Sequence, residues 1–520
     1  MNKKPIILII LDGWGIAPAN AGNAITLATT PFMDYLYKNF PNTTLAASGK
    51  AVGLPPNQVG NSEAGHMNIG AGRIVEQDVV HISKSITDGT FFKNPAFVDA
   101  IRHVKKYNSA MHLLGLLCDD QSPHGDPDHL LALLTLMKHQ KVEKVFLHLF
   151  TDGRDSPQYM SIHLLRKLSK VLAKNQKIAT ISGRFYGMDR GKNWDRIEKT
   201  YKAMVQGEGI QFQNPEEVIL HAYNRGETDE YIQPSVIVEK GKPVGTVSDN
   251  DSMIFFNLRS DRARQISKTF VQKDFNEKNP GSFIRKKIIK NLIFVAMTDF
   301  GPDLGGILTA YPSEDIKETL PMVLKNLKQF YIAETEKYAH ITYFFNGGYA
   351  DPVGNEERVM IPSPVVKSYA EKPEMSAQGI LEVILKNLKE NIYDFQAVNF
   401  ANPDMLGHTG NLKAAIVGVE FLDKCVKQIV DLVLKRRGTV FITADHGNAE
   451  EMINLKTGEI DTEHSRNPVP FIVINHEFKK LDFKKEGVLG DIAPTILSFM
   501  NIEKPKEMIN QPLCHFISDL

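Results

Sequence analysis

The stretch Ile6-Ile7-Leu8-Ile9-Ile10-Leu11-Asp12-Gly13 reads as a buried strand stopped by a polar turn. The same pattern recurs along the chain. Val145–Phe150, Ile178–Ile181, Met253–Phe256, Leu292–Met297, Ala397–Phe400 and Val440–Thr443 are further short apolar runs. Helical patterns lie between several of them, for example at Met375–Lys389 and Lys413–Leu434. Strands alternating with helices predict α/β architecture with largely parallel sheets. In such sheets the residues just past the strand C-termini build the functional site. The polar residues after each run are therefore the first candidates for function.

Toward both ends of the chain the runs are followed by Asp and His. Asp12-Gly13 follows the first, Asn402-Pro403-Asp404 and then His408 follow Ala397–Phe400, and Ala444-Asp445-His446-Gly447 follows Val440–Thr443. In the middle they are followed by Arg: Thr151-Asp152-Gly153-Arg154-Asp155, Ser182-Gly183-Arg184 with Arg190 close behind, and Asn257-Leu258-Arg259-Ser260-Asp261-Arg262. The expectation is two α/β domains. A metal domain split in sequence, residues 1–76 and 312–520, would hold an inserted substrate-binding domain, residues 77–311, with joints near Gly70-Ala71-Gly72 and Ala310-Tyr311-Pro312.

A length of 520 residues agrees with more than one core. The 61 basic and 61 acidic residues balance, so no global charge draws the chain to nucleic acid or an anionic membrane. The run after Met1-Asn2-Lys3-Lys4 is too short for a signal-peptide core, and no apolar stretch approaches the roughly 20 residues that span a bilayer. Cys118, Cys425 and Cys514 are far apart and odd in number, which suggests neither a disulfide framework nor a thiolate metal site. A cytoplasmic enzyme fits.

Asp12, Asp404, His408, Asp445, His446 and His464 form a mixed carboxylate and imidazole set. Such a set suits Mn, Zn, Co or Fe, whereas all-oxygen sets suit Mg and Ca. Asp404 and His408 share a face if their turn is helical. Six ligands are too many for one open catalytic ion and match two, which would clamp both ends of a phosphoryl transfer. Each residue alone has a plainer role: an Asp after a strand is commonly a turn or cap residue, and His464 in Asp461-Thr462-Glu463-His464-Ser465 could be an exposed histidine.

Gln58-Val59-Gly60-Asn61-Ser62-Glu63-Ala64-Gly65-His66 contains a candidate nucleophile. A helix starting at Ser62 would aim free N–H groups at an anion, and metal coordination is one way to activate a hydroxyl. The alternative is that Ser62 simply caps that helix. Arg154, Arg184, Arg190, Arg259 and Arg262 are candidate ligands for phosphate and carboxylate, which guanidinium forks match. His124, in Ser122-Pro123-His124-Gly125, follows a further run, Met111–Leu117, and Asp155 is a candidate general acid or base. Asp152 and Asp261 would orient the neighbouring arginines. An isolated Arg is usually a solvated charge, but three strand-end arginine sites in one domain point to a shared pocket.

Together these motifs resemble the cofactor-independent phosphoglycerate mutases of the alkaline phosphatase superfamily. The resemblance runs nearly end to end through Leu11–Gly15, Gly60–His66, His148–Asp155, Ser182–Arg184, Asn257–Arg262, Asn402–His408 and Thr443–Asn448. It implies interconversion of 3-phosphoglycerate and 2-phosphoglycerate through a phosphoserine at Ser62, in glycolysis and gluconeogenesis, without 2,3-bisphosphoglycerate. It implies two divalent ions, Mn2+ first, with Co2+, Mg2+ or Zn2+ as alternatives. One ion would take Asp12, Ser62, Asp445 and His446, and the other Asp404, His408 and His464. Substrate residues would be His124, Arg154, Asp155, Arg184, Arg190, Arg259, Arg262 and Lys337. From its own context, Glu334-Thr335-Glu336-Lys337-Tyr338, Lys337 reads as a surface helix lysine. Ser260 stands where the family usually has proline, which would loosen that loop without removing a ligand. The resemblance also points to a monomer acting on a small molecule, with no nucleic-acid or membrane partner. In the implied scheme Ser62 attacks, Lys337 and the metals stabilise charge, Asp155 protonates the departing alkoxide, and closure of the two domains excludes water. Rivals are a phosphatase or phosphodiesterase of the same superfamily, a pentose-phosphate mutase, and a non-catalytic phosphate-binding protein.

Overall fold

The computed structural model describes residues 4–120, 122–301, 303–312, 315–477, 482–483 and 486–515. The chain forms two compact units, one of residues 1–77 with 314–520 and the other of residues 78–313. Gly70-Ala71-Gly72 closes the helix Ser62–Ala71, with Gly72 as its left-handed cap. Ala310 and Tyr311 lie near the end of the second unit's stretch of chain. Both are buried in the second unit's core, where Tyr311 Oη bonds Ser85 Oγ at 2.6 Å.

The first unit is built on an eight-stranded sheet. Its order is Glu356–Ile361, Gln329–Glu334, Phe395–Phe400, Ile6–Leu11, Thr439–Thr443, Val469–Ile474, Asn42–Ala46 and Gly487–Val488. The first five are parallel. All six residues of Ile6–Leu11 are buried, as expected of a central parallel strand covered on both faces. Register then sets the site. Leu11 pairs with Phe400 and Ile10 with Thr443, so Asp12, the Asn402–Gly407 helix and Asp445 leave neighbouring strands at one edge. The helices Ala377–Glu390 and Leu412–Lys435 pack on this core. The first begins later than its apolar pattern predicts, because Met375 has φ +47 and lies outside it.

The second unit has its own sheet: Ile307–Thr309, Ile293–Ala296, Ser252–Phe255, Met111–Leu117, Val145–Thr151, Gln176–Gly183, Ser235–Glu239 and Ile210–Phe212. Separate clusters, around Leu113 and Leu147 and around Leu114 and Phe255, form its apolar core. Leu117 pairs with Thr151 and Thr151 with Gly183, so the loops bearing His124, Asp152–Asp155 and Arg184 share one sheet edge. Cys118, Cys425 and Cys514 are buried free thiols. Among the described residues no helix is long and apolar enough to cross a membrane.

Candidate metal centre and anion-binding loops

In the first unit the predicted ligands gather in two groups. Ligand atoms of Asp12, Asp445 and His446 lie within 4.8 Å of one another, as do those of Asp404, His408 and His464. Asp12, Asp404, Asp445 and His446 are buried, whereas His408 is exposed. The rings of His446 and His464 stack at 4.0 Å.

Ser62 stands against the first group. Its Oγ is 2.9 Å from His446 Nε2 and 3.3 Å from Asp12 Oδ1. The alternative role as a helix cap belongs to its neighbour: Asn61 Oδ1 accepts from Ala64 N at 2.9 Å, and Ser62 is the first helical residue. The hydroxyl is thereby released from capping. The helix also sits hard against the Asp445 turn, since a Cβ at Gly65 would lie 2.6 Å from the Asp445 carbonyl oxygen.

Lys337 corrects the reading of a surface lysine. It ends the short 3-10 turn Thr335–Lys337 after the Gln329–Glu334 strand and is only 4% exposed. Its Nζ donates to Asp12 Oδ1 and Asp404 Oδ2, both at 2.6 Å, and to Ser62 Oγ at 2.8 Å. Burial alone would lower the pKa of this ammonium, but Asp12 and Asp404 outweigh that and raise it. Burial and the Asp445 charge push Asp12 up to about 7, although Lys337 opposes them. Asp404 and Asp445 are held below the usual carboxylate range despite burial, Asp404 chiefly by Lys337 and then His408, Asp445 chiefly by His446.

This donor set fits divalent cations. Asp12 and Asp404 share one ammonium, and the third buried carboxylate, Asp445, has its Oδ2 beside the imidazoles of His66 at 3.2 Å and His446 at 3.5 Å. The imidazoles are oriented for the purpose. His408 Nδ1 donates to Thr462 O and His464 Nδ1 to Gly60 O, both at 2.8 Å. Carbonyls only accept, so the Nε2 lone pairs face the same point, 3.1 Å apart and beside Asp404 Oδ1. Backbone carbonyls that fix the tautomer in this way are usual behind metal-binding histidines. Asn399 was not anticipated as a site residue: its Nδ2 donates to Asp12 Oδ2 at 2.7 Å. Its signal was a polar residue inside the apolar run Ala397–Phe400.

The second unit gathers the arginine loops. Arg184, 1% exposed, donates at 2.5 Å to both Asp152 Oδ1 and Asp155 Oδ2. His124 Nε2 is 3.5 Å from Asp155 Oδ2. Burial, reinforced by Arg184 and Arg259, brings His124 down to about 3, so it is a neutral imidazole. Burial raises Asp155, but Arg184 overrides this and holds it below its ordinary value. Asp261 pairs with Arg190 at 2.7 Å and Arg259 at 3.4 Å. Burial and then the like charges of Arg184, Arg190 and Arg154 bring Arg262 down to about 10. A guanidinium crowded by three others is a place for an anion. Arg154 is the outlier of the set, exposed and 3.6 Å from Glu230. Ser260 is the first residue of the helix Ser260–Val271, a position that proline also favours, so the departure at this position leaves the helix start intact.

Residues 4–504 match the model of the Metalloenzyme superfamily. The chain is 48% identical over 519 residues to the 2,3-bisphosphoglycerate-independent phosphoglycerate mutase of Clostridium acetobutylicum, covering 99% of this chain and all of that one. It is 46% identical over 517 residues to the enzyme of the same name from Clostridium novyi, with 99% and 100% covered. A crystal structure of Leishmania mexicana phosphoglycerate mutase at low cobalt concentration superposes with a TM-score of 0.80 at 28% identity, over 99% of this chain and 98% of that one. The chain belongs to the 2,3-bisphosphoglycerate-independent phosphoglycerate mutases, within the metalloenzyme superfamily.

Proposed function

We propose that Ser62 is the group that carries the phosphoryl between the 3- and 2-hydroxyls of glycerate as this enzyme interconverts 3-phosphoglycerate and 2-phosphoglycerate. The observation that carries this is the setting of Ser62 Oγ, free of capping and bonded to His446 Nε2 at 2.9 Å and Lys337 Nζ at 2.8 Å. The enzyme depends on divalent metal. Asp12, Ser62, Asp445 and His446 would hold one ion and Asp404, His408 and His464 the other. The mixed N/O donors favour Mn2+, with Co2+, Mg2+ or Zn2+ as alternatives. When bound, the ions neutralise charge on phosphoryl oxygens and lower the proton affinity of the serine hydroxyl.

The chain's own residues do the rest. The Ser62 hydroxyl accepts from Lys337 Nζ and is flanked by Asp12 and His446, which aligns Oγ for attack. Lys337 balances charge on the transferring group. Residues 77–311 are the substrate-binding domain, in which Arg154, Arg184, Arg190, Arg259 and Arg262, with neutral His124, bind the carboxylate and phosphate of the acid. Asp155 handles the protons of the two glycerate hydroxyls. Its tie to Arg184 keeps it ionised, which suits the base that deprotonates the 2-hydroxyl as the phosphoryl returns. A substrate anion that draws Arg184 away raises the proton affinity of Asp155, which takes a proton from solvent, gives it to the departing 3-alkoxide and recovers one from the 2-hydroxyl. We place the reaction in the cytoplasm, with a monomer acting on a small acid and needing no 2,3-bisphosphoglycerate.

The test is incubation with 3-phosphoglycerate and Mn2+ in the absence of 2,3-bisphosphoglycerate, followed by 31P NMR and by mass spectrometry of the Ser62 peptide. 2-Phosphoglycerate and a phosphorylated Ser62 are expected. Free phosphate and glycerate as main products would make the chain a hydrolase, and a Ser62→Ala variant that turns over normally would remove Ser62 as carrier.

A further inference from the structure

Glu450 lies outside the sequence motifs of the site, yet it is 1% exposed and its carboxylate is fully engaged. Oε2 accepts from Gly15 N at 3.0 Å and from Asn448 N at 2.8 Å. Oε1 accepts from Asn467 Nδ2 at 3.0 Å and from Ser465 Oγ. These donors belong to three segments far apart in sequence, and each segment carries candidate ligands. Gly15 follows Asp12, Asn448 follows Asp445 and His446, and Ser465 adjoins His464. Asn448 also reaches the other group directly, donating from Nδ2 to Asp404 Oδ1 at 2.9 Å. Around this carboxylate the packing is close: a Cβ at Gly447 would collide with Glu450 Oε1 and Ser465 Oγ.

We infer that Glu450 is a positioning residue that holds the Asp12, Asp445-His446 and His464 loops in the geometry that binds both ions. The inference rests on the two-ion reading of the site. The physical argument is that a buried carboxylate bonded to four neutral donors cannot be shortened without stranding them. Two of the donors are backbone N–H groups whose displacement moves the loops themselves. Glu450 bonds no ligand side chain and acts through the loops that carry them; outer partners of metal sites set metal affinity by about 10- to 100-fold.

Calorimetric titration of the metal-stripped chain with Mn2+ chloride tests this, on wild type, Glu450→Ala, Glu450→Gln and Ser465→Ala. Glu450→Ala is expected to weaken both binding steps about 10- to 100-fold. Glu450→Gln keeps the length and one acceptor for the backbone, so it is expected to fall between wild type and Glu450→Ala and to regain turnover in excess Mn2+. Ser465→Ala should weaken chiefly the step that uses His464. A folded Glu450→Ala that binds both ions at wild-type affinity overturns the inference. Should that variant fail to fold, unchanged affinity in Glu450→Gln overturns it equally. Wild type that takes up no Mn2+ would instead remove the two-ion reading on which the inference stands.

Discussion

Replacing Lys337 by Met keeps most of the volume and deletes the one ammonium that faces Asp12 and Asp404. Both contacts are 2.6 Å and both carboxylates are buried, so the variant leaves Asp12 and Asp404 without their shared counter-ion. Breaking a buried pair from one side costs about 3–5 kcal/mol. Two routes relieve that cost: Asp12 takes up a proton, or divalent cations bind. Asp12 is already raised to about 7, and it rises further without Lys337, which now lowers it. At pH 9 in chelator both routes are most nearly closed, and most of the cost should appear. At about 1–2 °C per kcal/mol for a chain of this size, that is a fall in Tm of roughly 3–10 °C. As pH falls toward about 7 the variant's Asp12 protonates before the wild type's, so the gap narrows above about 7 and levels off below it. Saturating Mn2+ supplies more positive charge than was lost, and the gap should close. Turnover should nevertheless fall about 10²- to 10³-fold, the usual loss for one preorganised donor at the transferring group. The assay is scanning calorimetry at pH 9 and pH 6, with chelator and with Mn2+, beside turnover by 31P NMR. A gap indifferent to both pH and Mn2+, or no gap in chelator, refutes the account of Lys337 as the site's internal counter-ion.

Glu334→Gln should stabilise the chain at high pH. Burial raises Glu334 from 4.5 to about 7, with Ser363 and Ser376 offsetting it only in part. A raised folded pKa means stability is lost as pH climbs through that window, by about 3 kcal/mol; the neutral amide should escape this, giving equal melts at pH 4.5 and a higher Tm for the variant at pH 8. Arg262→Ala should raise KM for phosphoglycerate about 10- to 100-fold through loss of a charged hydrogen bond. Because Arg262 is crowded by Arg184, Arg190 and Arg154, its removal should leave the melting of the free chain unchanged or raised; a lowered Tm would show that its role is structural.

How much of the site was legible in the sequence depends on where each group sits relative to a strand end. Asp12, Asp445 and His446 follow apolar runs that can only be buried strands, and register at the sheet edge then brings them together. Lys337 also follows a strand, but that strand begins with Gln329 and ends with Glu334, both buried. The polar ends hide the run, and the lysine then looks like one more surface charge. For Ser62 the composition of the segment cannot choose between cap and nucleophile, since the same hydroxyl serves both. The choice is made by which residue takes the extended backbone before the helix, and Asn61 does. Glu450 is the extreme case. It stands next to Glu451, yet Glu450 is buried under four donors while Glu451 is exposed. Nothing in the pair of letters distinguishes them. Ligands have to converge on a point, and convergence at strand ends leaves a pattern in the chain. The groups that hold ligands in place only have to meet loops that tertiary folding has already brought together, and that requirement leaves no spacing to read.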